Sequence, residues 1–112
     1  MPASVCIRRR WNRALAAGPP PLARERGYGP GFGYIETQAL HGVLRSLQPR
    51  RIVEVGSGCS TYCMLEASAA SVKAGGRASA ITCVEPYPSG WLRSSKDIRL
   101  VQKLAQTCPL EE

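Results

Sequence analysis

Between residues 34 and 48 the apolar side chains Ile35, Ala39, Leu40, Val43, Leu44 and Leu47 recur at helical spacing, leaving Gln38, Arg45 and Gln48 for an outer face. The spacing predicts an amphipathic helix that starts at Tyr34. Pro49 predicts its end, because a proline pushes the residue before it out of the helical region. "RIVEV", residues 51–55, is β-branched and runs into Gly56, which reads as a short buried strand breaking into a loop. "TYCMLEASAASV" lacks Gly and Pro and is rich in good helix formers, so a second helix is expected from near Ser60 or Thr61, either of which can serve as its N-cap. "SAITCVEPYP" predicts a second strand that ends at Glu85 before a Pro-Tyr-Pro turn. Helix, strand, glycine turn, helix, strand, acid is the order of the first βαβ unit of a nucleotide-binding α/β sheet, in which ligands sit beyond the carboxyl ends of the strands.

Length and charge refine this picture. A chain of 112 residues is about one small domain. No run approaches the roughly 20 apolar residues that cross a bilayer, so no membrane partner is expected. The formal charge of +7 is unevenly spread: residues 1–26 hold six arginines against Glu25, whereas the remainder is close to balance. Residues 1–33, with an arginine cluster, a proline triplet and scattered glycines, read as a basic leader that forms no core of its own. The leader lacks the apolar segment of an export signal. Trp11 reads as part of a variable extension, and the aromatics do not interleave with the arginines as a nucleic-acid stacking platform requires. Five cysteines without a C-x-x-C pair point to a reduced, cytoplasmic setting. Cys59 and Cys63 fall one helical turn apart, but the chain has one histidine to complete a metal site, so they read as small residues packed under a helix and no metal is assigned. That histidine, His41, lies beside Gly42 with no acid four residues on, and reads as a surface residue.

The chemistry concentrates around "RIVEVGSGCST". A pyrophosphate bound at a helix N-terminus wants no neighbouring anion, yet Glu54 stands two residues before Gly56. Thr61 occupies the place where a dinucleotide fingerprint needs its third Gly or Ala. Glu54 suits an ammonium group better than a phosphate. Glu85, 27 residues after Gly58, ends the second strand where a carboxylate can accept hydrogen bonds from both hydroxyls of a ribose.

"RIVEVGSGCST" resembles motif I of class I S-adenosylmethionine-dependent methyltransferases, in the subgroup written as an acid, a hydrophobe, Gly-Ser-Gly, any residue, then Ser-Thr. "ITCVEPYP" is similar to that subgroup's second-strand motif, and the first helix and "IRLVQKLAQTCPLEE" look like its flanks, so the resemblance covers roughly residues 27–112. It implies a partial Rossmann-like methyltransferase sheet over residues 34–112 and S-adenosylmethionine as cofactor. By the resemblance, Gly56 and Gly58 form the cofactor loop and Ser57 and Ser60 lend polar contacts. Glu54 receives the methionine amino group, Glu85 holds the ribose, and Tyr87 lies against the adenine.

The same resemblance implies a seven-stranded sheet, and the chain is expected to stop before the fourth strand, which would pair beside "RIVEV". The methyl acceptor and any base therefore have no candidate residues here. An unpaired strand edge invites association, either with a second copy or with a complementing chain. The competing expectation is a non-catalytic α/β module that docks a partner through that open edge.

Overall fold

The computed structural model describes residues 34–109. The basic leader, Trp11 and Cys6 lie outside the described residues, as do residues 110–112. The elements are α1 (Tyr34–Leu47), β1 (Arg51–Val55), α2 (Cys59–Lys73), β2 (Ala80–Val84), a short α3 (Gly90–Ser94), β3 (Ile98–Val101) and a 3-10 turn (Ala105–Thr107). The three strands form one parallel sheet in the order β1-β2-β3. The domain is thus a small α/β unit whose sheet begins with a βαβ crossover. Among the described residues no helix is long and apolar enough to cross a membrane.

Alternation along the strands assigns their side chains to two faces. Glu54 pairs with Cys83 and Cys83 with Leu100, so these share one face with Ile52, Ile81 and Ile98. Over this face lies the core: Met64 of α2 with Ile81 and Cys83, flanked by Leu40 and Leu44 of α1 and by Leu65. A second cluster joins Cys59 and Tyr62 to Trp91 of α3. Ser79 ties the α2–β2 connection back to the start of β1, its hydroxyl donating to the Pro49 carbonyl at 2.7 Å.

Two expectations change. "RIVEV" is not a buried strand: Val53 and Val55 are 68% and 71% exposed. β1 is the edge of the sheet, and among the described residues no α-helix covers its second face, so alternate residues face outward.

The buried side of α1 is also rotated from the one its apolar spacing predicts. Leu40 and Leu44 reach the core, but Ile35 and Leu47 are 76% and 62% exposed and Val43 is partly so, while Thr37, His41 and Ser46 are buried. The reason is close approach to α2. Cys63 is small, and its thiol donates to the Thr37 carbonyl at 3.3 Å, which draws the Thr37–His41 side of α1 inward. His41 is therefore not a surface residue; at 7% exposure its imidazole is held below its ordinary pKa of 6.5, first by burial and then by the charge of Arg45.

Candidate functional site

β1 ends at Val55 and the chain turns through Gly56, Ser57 and Gly58 into α2. Gly56 has φ 86° and Gly58 φ 151°, values that side-chain-bearing residues rarely adopt. The Gly56 amide still donates to the Val84 carbonyl at 2.9 Å, so the turn stays tied to β2 as it leaves the sheet. A Cβ built on Gly56 would meet nothing within 4 Å; the space above this residue is open.

Glu54 points to the helix-covered side, toward the first turn of α2. One carboxylate oxygen accepts the Ser60 hydroxyl at 2.6 Å, and the other accepts the Thr61 hydroxyl and, at 3.9 Å, the Cys83 thiol. Thr61 Oγ1 in turn accepts the Gly58 amide at 3.1 Å. The carboxylate thus lies at the positive end of the α2 dipole, where negative charge is stabilised, and it holds the glycine turn through Thr61. The helix starts at Cys59, one residue before the expected caps, because Ser60 and Thr61 spend their hydroxyls on Glu54 inside the first turn.

Glu85 follows β2 directly, and its amide donates to the Val101 carbonyl at 3.0 Å. One of its oxygens accepts the Ser57 hydroxyl at 3.0 Å and the other the Tyr87 amide at 2.9 Å. Ser57 therefore bridges the glycine turn to the acid of the next strand. The Tyr87 side chain projects outward, 83% exposed.

Both carboxylates act on the same buried group. The Cys83 thiol is pushed up to about 11, chiefly by burial and next by the charge of Glu54, with Glu85 adding to it. Burial pushes the Cys63 thiol up to about 12. Raised this far, both thiols are held in the protonated form at neutral pH, which makes them poor nucleophiles. Among the described residues no group of three or more His, Cys, Asp or Glu stands together as a metal site.

The predicted residues Glu54, Gly56, Ser57, Gly58, Ser60 and Glu85 thus gather around one turn at the carboxyl ends of β1 and β2 in two hydrogen-bonded groups, Glu54 with Ser60, Thr61 and Gly58, and Glu85 with Ser57 and the Tyr87 backbone, joined through the chain of the turn. Ser60 is engaged by Glu54 rather than turned to open space. Thr61 and Cys83 belong to the Glu54 group and carried no assignment as site residues. The signal for Thr61 was its position three residues into a helix behind an acid-ended strand; for Cys83 it was the pairing with Glu54, which only the sheet register reveals. The arrangement is rich in acceptors and negative in charge, which suits an ammonium group and vicinal hydroxyls and opposes a phosphate.

Two hollows lie elsewhere. A groove of about 630 Å³ runs along α2, bordered by Tyr62, Glu66, Val72, Trp91 and Asp97. A smaller one of about 290 Å³ lies on the uncovered sheet face beside Val55, Val84 and Val101. Comparison of the chain with protein-family models, with curated proteins and with solved structures finds no match.

Proposed function

We propose that the chain is the S-adenosylmethionine-binding part of a class I methyltransferase with a partial Rossmann-like sheet, working in the cytoplasm. The observation that carries this reading is the pair of carboxylates at the tips of adjacent parallel strands, each tied to the turn between them: Glu54 through Thr61 and Glu85 through Ser57. The residues present fit the cofactor. Gly56 leaves open space where a side chain would project. Each Glu85 oxygen holds one donor and keeps a further lone pair, so two ribose hydroxyls can be accepted. Glu54 supplies negative charge for an amino group. When bound, the cofactor supplies a methyl group made electrophilic by its sulfonium; the contribution of the protein is to orient it and to limit water. Tyr87 has the freedom to fold over the adenine.

Titration calorimetry of S-adenosylhomocysteine against the full chain tests this. Wild type is expected to bind, and Glu85→Ala to weaken binding about tenfold or more, the loss of a charge-assisted bidentate contact. Equal affinity in the two proteins removes the ribose assignment.

A second reading is favoured by the β1 edge. Sheet order leaves β1 with one neighbour, and the exposed ridge of Ile35, Val43 and Leu47 lies on the side of α1 turned away from α2. A strand with one open edge among the described residues, in a domain that also exposes an apolar helix ridge, suits a module that adds a partner strand, from a second copy or a complementing chain.

A further inference from the structure

Parallel sheets are ordinarily covered on both faces, because apolar strands cannot leave either one in water. Here α1 and α2 cover one face. Among the described residues no α-helix covers the other face: Val53 and Val55 stand open on β1, Thr82 lies in the middle, and toward the carboxyl ends Val84, which is buried, and Val101 join Ala105, Cys108 and Pro109 around the 290 Å³ hollow, so that the open part of the face is the β1 side with the hollow beside it. Arg51 and Arg99 share this face by alternation, and both are exposed.

The charges of the domain divide between the two sides. The described acids all stand on the helix side: Glu36 on α1, Glu66 on α2, Asp97 at the rim of the long groove, and Glu54 and Glu85 at the glycine turn. No described acid faces the uncovered side, where the charges in the strands are the two arginines. An occupant must therefore be apolar in the middle and negative at its flanks.

Two occupants are disfavoured by charge. A second copy packed face to face would set Arg51 and Arg99 against the same two arginines. The chain's own residues 1–26, six arginines against one acid, would bring more positive charge. The concavity disfavours a membrane, which binds protruding apolar residues rather than a hollow. We propose that the uncovered sheet face docks an acidic amphipathic helix of a partner protein. The dimensions agree. Three strands span about 10 Å, the width of one helix, and a five-residue strand is about 16 Å long, or three helical turns. Arg51 and Arg99 are two strands apart and offset by two residues in register, so they flank the apolar strip on opposite sides, where Asp or Glu bordering a leucine stripe would meet them. This proposal stands independently of the cofactor reading.

The test uses the full chain and lactam-bridged helical peptides of about 15 residues, about 22 Å long, with a leucine stripe flanked either by glutamates or by lysines. Binding is followed by fluorescence anisotropy at low salt. The glutamate peptide is expected to bind and the lysine peptide not. The R51E/R99E variant should lose about tenfold or more in affinity for the glutamate peptide and gain the lysine peptide, since reversing rim charges reverses the complementarity. Should circular dichroism show that variant to be unfolded, R51Q/R99Q takes its place, with a loss of about threefold expected for the milder change. Unchanged affinity in these variants would assign the binding to the arginine-rich leader and overturn the proposal. So would equal binding of both peptides, no binding of the glutamate peptide, or sedimentation with phosphatidylserine vesicles that the same variants abolish while the peptide stays unbound.

Discussion

Replacing Glu54 by glutamine keeps the shape of the side chain and removes its charge, which isolates what the carboxylate does at the start of α2. In the wild type it accepts the Ser60 hydroxyl at 2.6 Å and the Thr61 hydroxyl through its other oxygen. A hydrogen bond to a charged acceptor stabilises by about 1.5–3 kcal/mol and a neutral one by about 1. Glutamine keeps one accepting oxygen and puts a donating NH2 in place of the other, so one of the two bonds becomes neutral and the other hydroxyl must turn to accept; this costs about 1–2 kcal/mol after allowance for the partial exposure of the site, and losing the charge at the α2 N-terminus adds about 0.5 kcal/mol. A total near 2 kcal/mol corresponds to a fall in Tm of about 8–16 °C for a domain of this size. Urea unfolding at pH 7, read by far-ultraviolet circular dichroism, should show a lower midpoint with an unchanged slope. Thr61→Val removes the partner hydroxyl, so the double variant should be more stable than the sum of the two single losses predicts, by about 1 kcal/mol. A loss below about 0.5 kcal/mol for Glu54→Gln, or strict additivity with Thr61→Val, would refute the argument that this carboxylate anchors the helix and the glycine turn.

Two further outcomes concern pH. His41 has a folded pKa below 6.5, so the unfolded chain takes up its proton first on acidification. The stability it confers is present above pH 6.5 and is lost as pH falls through the lower folded value; His41→Gln should flatten the dependence of the urea midpoint between pH 7 and 5. At the alkaline end the sign reverses: Cys83 and Cys63 titrate near 11 and 12 in the fold against 9.0 ordinarily, so the unfolded state loses their protons first. Stability should decline from about pH 9 toward 11, and Cys83→Ala should reduce the slope of that decline whatever it does to stability at pH 7. An unaltered slope would show that this thiol is not shielded by burial.

The order of α1, β1, the glycine turn, α2 and β2, and the placing of an acid near the end of each of these two strands, were legible in the sequence by itself, whereas α3, β3 and the 3-10 turn were not assigned from it. Apolar spacing marked α1, β-branched runs marked β1 and β2, and Gly56 and Gly58 marked the turn between β1 and α2. These are local properties, set by backbone sterics and side-chain periodicity over a few residues. The carboxylates were legible for the same reason, since an acid at the end of an apolar strand has few places to go.

The tertiary structure alone decided which face each element buries. Val53 and Val55 read as core and stand in the open because β1 is an edge strand with one covered face; Ile35 and Leu47 are exposed, and His41 buried, because Cys63 on α2 draws the other side of α1 inward. The Glu54–Thr61–Gly58 chain and the pairing of Glu54 with Cys83 likewise exist only once β1, β2 and α2 are assembled. Burial and hydrogen-bond partnership are relations between segments distant in the chain, and no window of neighbouring residues contains them.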